Sequence, residues 1–404
     1  MSTPPDTAGR QLAATSLAVV LGLAPWFSAT AVIPAMTAEF GLGPGAAAWL
    51  TMAVQIGFVC GTLISAAGML ADRWSAERLA AWSAAAAGLS TAGIAWFSRS
   101  GATTLALRMV TGIALAGVYP PAIKLVAGWW RDKRGLAIGI LIGALSLGSA
   151  APHLIRLLWP AGSWRGLMLA AAVSAGASAL VFAVAVRPGP FQARSSPLDR
   201  HALMMVVRDR PVMLATAGYL GHMWELYAMW SWILAFWTAI AVARGLGREV
   251  PPLMAFAALA VGGVGCVIAG WMADRVGRTA ITIAAMIISG TCAIAIGPAA
   301  DGPVLLLGAL TLIWGASIVA DSAQFSACVT ELVPIEYTGT AVTLQTALGF
   351  LLTMVSIRSV PVWLAHWGWT FAFMPLAVGP ALGCLAMWRL RQHPDAVKLA
   401  RGAR

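Results

Sequence analysis

The stretch Gly68-Met69-Leu70-Ala71-Asp72-Arg73-Trp74-Ser75-Ala76-Glu77-Arg78 is a short charged island between two long apolar runs. A contracted copy, Gly270-Trp271-Met272-Ala273-Asp274-Arg275-Val276-Gly277-Arg278, stands 202 residues later between the second and third apolar runs of its own half. Loops on one side of a membrane favour arginine and lysine in any case, which accounts for the arginines of both stretches. It does not account for a glycine and an aspartate at matching offsets. The chain therefore repeats a unit, and the unit is made of hydrophobic segments.

With 404 residues, 60% of them apolar and 10% charged, and a mean hydropathy of +0.82, the composition is that of a polytopic membrane protein. The net charge of +11 has to be read by location, so it does not point to nucleic acid. Cys60, Cys266, Cys292, Cys328 and Cys384 fall in or beside apolar segments without paired spacing, which suggests neither a disulfide framework nor a metal site. No nucleophile motif, phosphate-cradling glycine loop or His/Cys/carboxylate cluster is present, so no enzyme activity and no cofactor are expected. Arg10, an apolar core and small residues around Ala29 outline a leader peptide. A cytoplasmic placement of residues 68–78 requires two passes before it, so this segment is expected to stay as the first span.

Segments of about 20 apolar residues, the length that crosses a bilayer, fall at 11–33, 46–67, 79–98, 103–127, 135–158 and 166–187. Six more fall at 211–239, 251–272, 280–299, 303–327, 339–362 and 369–390. With both termini inside, 18 of the 26 lysines and arginines lie in cytoplasmic segments and 4 in outer loops, the asymmetry that sets membrane orientation. The hydrophilic stretch 188–210 reads as a cytoplasmic linker between an N-terminal bundle, 1–187, and a C-terminal bundle, 211–404. Arg134-Gly135 and Thr338-Gly339 open the fifth and eleventh spans 204 residues apart, which repeats the internal symmetry. The tryptophans at Trp129-Trp130, Trp159/Trp164 and Trp363/Trp367/Trp369 read as interfacial belt anchors.

The paired loops resemble the cytoplasmic signature of the major facilitator superfamily. The fourth span carries Arg108-x-x-x-Gly112, which is similar to the second motif of that superfamily. Its continuation through Gly117, Pro120-Pro121, Lys124, Trp129-Trp130 and Arg134-Gly135 looks most like the cyanate and nitrate/nitrite porter branch. The resemblance implies twelve transmembrane helices in two pseudo-symmetric six-helix bundles, an all-α fold with a site between the halves. It also implies a gate role for Gly68, Asp72, Arg73, Arg78, Gly270, Asp274, Arg275 and Arg278. The glycine-dense signatures of nitrate porters are missing from spans five and eleven, which argues against nitrate in particular.

Ionisable residues inside spans are costly and are functional candidates by default. Here they are Arg108, Lys124, His153, Arg156, His222, Glu225, Asp321 and Arg358. Arg108 and Lys124, sixteen residues apart, sit ~24 Å apart along a helix and about 160° around it, so one small ligand cannot meet both. Arg108 shares its face with Tyr119, and Lys124 lies where it can snorkel to headgroups. Pro120-Pro121 predicts a bend in this span. Arg156 and Arg358 stand at nearly equivalent levels of the fifth and eleventh spans and suit an anion by forked hydrogen bonding. Their alternative is anchoring at the outer interface. Glu225, near the middle of the seventh span, is the natural proton carrier, because burial favours the neutral carboxyl. Asp321 is the second coupling candidate. The substrate contacts expected are Arg108, Tyr119, Arg156, Arg358, His222 and Gln55.

The reading is a secondary active transporter, proton-coupled, moving a small anion or monocarboxylate across the plasma (bacterial inner) membrane. Its expected partners are the substrate, protons and the lipid bilayer, with no nucleic acid, and the chain is expected to be a monomer. The alternatives are proton-driven efflux of amphipathic compounds and, in a different class, a non-transporting receptor or scaffold on the same fold.

Overall fold

The structure, a computed structural model, describes residues 5–68, 74–130, 134–159, 162–191, 200–334 and 337–403. Asp72 and Arg73 of the first signature, and 192–199 of the linker, lie outside the described residues. The described residues are helical, without a strand. The chain divides into two compact units, Met1–Ser195 and Ser196–Arg404, and each is described by itself.

The first unit contains α1 (Pro5–Phe27), α2 (Ile33–Phe40), α3 (Pro44–Ala67), α4 (Ala76–Phe97), α5 (Gly101–Leu115), α6 (Tyr119–Trp129), α7 (Arg134–Leu158) and α8 (Trp164–Val184). The second contains α9 (Arg200–Arg208), α10 (Arg210–Arg244), α11 (Val250–Val276), α12 (Arg278–Ala295), α13 (Val304–Ala320), α14 (Ser322–Leu332), α15 (Thr338–Ala372) and α16 (Val378–Gln392). Among the described residues, eleven helical segments are long and apolar enough to cross a membrane. The twelfth crossing combines the 3-10 turn Met374–Ala377 with α16. The sequence places that span at 369–390, but Gly368 (φ 64°) kinks the end of α15. Pro375 and Pro380 then start new helical pieces, since proline is tolerated in a first turn and not in a helix interior.

Close helix packing in lipid needs small residues, and both units use glycine at corresponding places. A Cβ on Gly112 of α5 would overlap the Val54 carbonyl of α3, and one on Gly315 of α13 would overlap the Ala258 carbonyl of α11. Gly112→Val is therefore expected to push α3 and α5 apart and to cost about 1–3 kcal/mol. A fall in the thermal unfolding temperature of the detergent-purified protein measures it.

The repeat is legible in the breaks as well. The fourth crossing is interrupted at 116–118, between α5 and α6, and the tenth at Asp321, between α13 and α14. Gly117 advanced by the 204 residues that separate the starts of α7 and α15 is Asp321. The predicted bend falls a turn before Pro120-Pro121, where the prolines leave carbonyls without helical donors, and the two prolines occupy the first turn of α6. At the other end of the first unit, Glu39 ties α2 to α8. It accepts from Trp164 Nε1 at 2.6 Å and from Arg165 Nη1 and Nη2 at 2.9 and 2.6 Å. The Arg165 guanidinium, then the Trp164 N–H, hold the Glu39 carboxyl below its ordinary range.

The predicted linker is not uniform. Its start is fastened to the first unit, with Phe191 N donating to Gly128 O at 3.0 Å and, just before it, Trp129 Nε1 donating to Arg187 O at 2.9 Å. Its last part forms α9, which packs on α10 and α15.

Candidate functional site

The polar centre of the second unit is built around α10, a continuous 35-residue helix. Glu225 lies near its middle and is buried, its carboxyl directed between α12 and α13. Trp314 Nε1 donates to Oε1 at 2.6 Å and Ser289 Oγ donates to Oε2 at 2.8 Å. No arginine or lysine pairs with this carboxyl among the described residues. The indole N–H can only donate, so it fixes Oε1 as an acceptor. A hydroxyl can donate or accept, so Ser289 can serve the carboxylate by donating and the carboxylic acid by accepting. In the second case its own proton has Met286 O, 3.3 Å away, to turn to. The cradle thus satisfies the carboxyl in both protonation states without moving a heavy atom.

One turn earlier on α10, His222 is also buried and spans the break in the tenth crossing. Its Nδ1 lies 2.8 Å from Asp321 Oδ1, and its Nε2 lies 2.7 Å from Ser322 Oγ. The approach to Asp321 is short but makes no aligned hydrogen bond at Oδ1. Tyr219 and Phe325 complete the cluster, with ring centroids 6.0 and 5.5 Å from that of His222. Both ring nitrogens of His222, expected at the substrate, are thus engaged by the protein.

In the first unit Arg108 is fully buried on α5. Nε donates to Leu50 O at 2.9 Å, Nη1 to Pro25 O at 2.7 Å and Ser28 Oγ at 3.3 Å, and Nη2 to Trp26 O at 2.6 Å. The last carbonyls of a helix lack intrahelical donors and carry the negative end of its dipole. Arg108 supplies both the donors and the charge where α1 ends. Arg108 was expected to contact substrate; its hydrogen bonds here all go to the protein, and only its position in a span was readable beforehand. The second unit has no such break, since α10 runs on through Met229, the residue 204 after Pro25, and Leu312 stands 204 after Arg108.

The remaining expected contacts lie on four helices. Gln55 is buried on α3 and Tyr119 begins α6 half-buried. Arg156, in the last turn of α7, is half-buried and donates Nη1 to Gly162 O at 2.9 Å. Arg358 is exposed on α15 and has no hydrogen bond or ion pair among the described residues. No group of His, Cys, Asp or Glu among the described residues is arranged to hold a metal ion.

Of the repeated loops, the second is the more fully described. Gly277 (φ 108°) lets α11 stop and α12 start within one residue. Arg278 is buried and reaches Glu331 on α14 through Nε at 2.8 Å and Nη2 at 2.6 Å, Gln324 Oε1 through Nη1 at 2.8 Å, and Asp274 at 3.7 Å. Arg275 stacks on Trp271 with its guanidinium carbon 4.0 Å from the ring centre. Gly68 closes α3, Gly270 is buried in α11, and Arg78 is exposed in the first turn of α4. Sequence reasoning passed over Ser289, Trp314, Ser322 and Glu331. Their one advance sign is that each is a polar or donor-bearing side chain inside or at the end of an apolar run.

The comparisons with known proteins bear on this architecture. Residues 15–357 match the family model described as Major Facilitator Superfamily. Over 177 residues the chain is 30% identical to "MFS-type transporter pytF" of Aspergillus terreus (strain NIH 2624 / FGSC A1156), a match covering 43% of this chain and 58% of that relative. Among solved structures, the proton:xylose symporter XylE bound to 6-bromo-6-deoxy-D-glucose superposes with a TM-score of 0.73 at 15% identity, over 94% of this chain and 96% of that one. A D-xylose-proton symporter does so with a TM-score of 0.73 at 15% identity, over 96% and 99%. At that identity the likeness is one of fold. The family match and the twelve-helix architecture agree on an integral membrane protein, and the chain belongs to the major facilitator superfamily.

Proposed function

We propose that the protein is a proton-coupled secondary transporter of small anions or monocarboxylates, with Glu225 as the proton carrier. The observation that carries the coupling is the cradle of Ser289 and Trp314, two uncharged partners that accept the carboxyl with or without its proton. A charged partner would have favoured the ionised form alone. Asp321, paired with His222, stands second in that role. The run from Gly117 to Gly135 resembles the pattern of the cyanate and nitrate/nitrite porter branch, which supports the small-anion reading. We further propose a monomer in the plasma membrane with both termini cytoplasmic, from the 18-to-4 distribution of lysine and arginine. Transport by reconstituted protein of a panel of labelled small anions, with and without a pH gradient, tests the reading.

The anion part rests on Arg156, which has a single hydrogen bond, and Arg358, which has none among the described residues. Replacing either by glutamine is expected to weaken anion binding roughly ten- to a hundred-fold, the equivalent of ~1.5–3 kcal/mol for one charge-assisted hydrogen bond. Lysine should restore only part of that, since it lacks the planar fork. Unchanged affinity in both glutamine variants would make the arginines interfacial anchors. Proton-driven efflux of amphipathic compounds then becomes the better reading. The rings that favour it are Tyr219, Phe325, Tyr227 and Phe350, the last two with centroids 5.0 Å apart.

A further inference from the structure

Beyond α16 the chain folds back as a 3-10 segment, Pro394–Gly402, against the end of the second unit where Arg278 and Glu331 meet. Ala396 and Leu399 are fully buried there. The amide of Ala400 donates to Glu331 Oε2 at 3.0 Å, and that oxygen also accepts from Arg278 Nε at 2.8 Å. One carboxylate therefore holds the signature arginine and the returning segment together. Arg391 Nη1, bonded to Thr279 Oγ1 at 3.2 Å, fixes the last turn of α16 to the first turn of α12 beside it.

The backbone of this segment is strained. Ala400 (φ 45°) and Arg401 (φ 58°) are consecutive non-glycine residues in the left-handed region, and they are the only such residues among those described. That conformation is disfavoured for L-residues and persists where surrounding contacts over-determine it. Its principal target, α14, is the terminal half of a crossing already broken at Asp321, so α14 has a hinge about which to move apart from α13.

We infer that Pro394–Gly402 is a strained latch that holds α14 against α12 through Glu331. The gate arrangement of the second signature is then set by a segment outside the spans. Neither the substrate nor the proton site enters this inference.

Two native cysteines read it without a substrate. Cys328 is buried on α14 one turn before Glu331, and Cys266 is buried on α11 with its Sγ 3.1 Å from Val319 O, just before the hinge. In full-length protein retaining one or the other, with the remaining cysteines replaced by serine, the rate of N-ethylmaleimide labelling is measured in Leu399→Asp and Ala400→Gly backgrounds. Leu399→Asp puts a charge where no water reaches and is expected to raise labelling at both cysteines about tenfold or more. Ala400→Gly relieves the left-handed strain and is expected to slow labelling at both by roughly two- to five-fold. Acceleration at Cys328 alone would reduce the segment to a passive cover and overturn the latch. So would an Ala400→Gly variant labelled at the parental rate, a result that stands even if Leu399→Asp does not fold.

Discussion

Glu225→Gln is expected to abolish substrate accumulation driven by a pH gradient while leaving counterflow exchange nearly intact. For one proton per substrate, a gradient of one pH unit sustains about a tenfold concentration ratio, ~1.4 kcal/mol. The variant should bring that ratio to unity. Glutamine reproduces the protonated carboxyl within the observed cradle. Its carbonyl oxygen can accept from Trp314 Nε1 and its amide can donate to Ser289 Oγ, so the packing of α10 against α12 and α13 is retained. What is lost is the ability to release a proton. Exchange does not need the empty carrier to return, so it separates coupling from binding. Should Glu225→Gln still accumulate substrate, coupling passes to Asp321 and its His222 partner, or uniport is the better description.

What the sequence discloses about this site follows from which interactions are local. The crossings and the repeat are properties of contiguous stretches, and they could be read directly. Glu225 was conspicuous because a carboxylate inside an apolar run is rare. Its partners were not, because Ser289 and Trp314 lie 64 and 89 residues away and only packing brings them to it. Glu331 escaped notice for the same reason, being 53 residues from the arginine it holds. Arg108 shows a deeper limit. Its hydrogen bonds go mainly to main-chain carbonyls, which every residue has and no motif records. The break that leaves those carbonyls free is signalled only by Pro25, inside a run otherwise smooth enough to read as one helix. The twelfth crossing was displaced by a similar cause, since a kink glycine and two prolines divide the helices without interrupting the hydrophobicity.

Arg108→Leu is expected to destabilise the first unit severely, by about 3 kcal/mol or more. Four hydrogen bonds from a charged donor would be lost, each worth ~1.5–3 kcal/mol singly though not additively. Two effects compete. Removing a buried guanidinium also removes its desolvation penalty, and for buried ion pairs an apolar replacement is often neutral or better. Here the partners are not a removable acid but carbonyls at the end of α1 and on α3, which stay buried whatever replaces the arginine. Pro25 O keeps Ser28 Oγ at 2.8 Å, whereas Trp26 O loses its charged donor within the bundle. The dipole at the end of α1 then has no positive charge against it. The carbonyl side of the balance should therefore win. Arg108→Lys should fall between, because one ammonium cannot reach Pro25, Trp26 and Leu50 at once. Thermal unfolding of the detergent-solubilised variants orders the three proteins. If Arg108→Leu instead melts with the parent yet binds substrate poorly, the guanidinium is a ligand for substrate, and the bonds to α1 are where it rests between substrates.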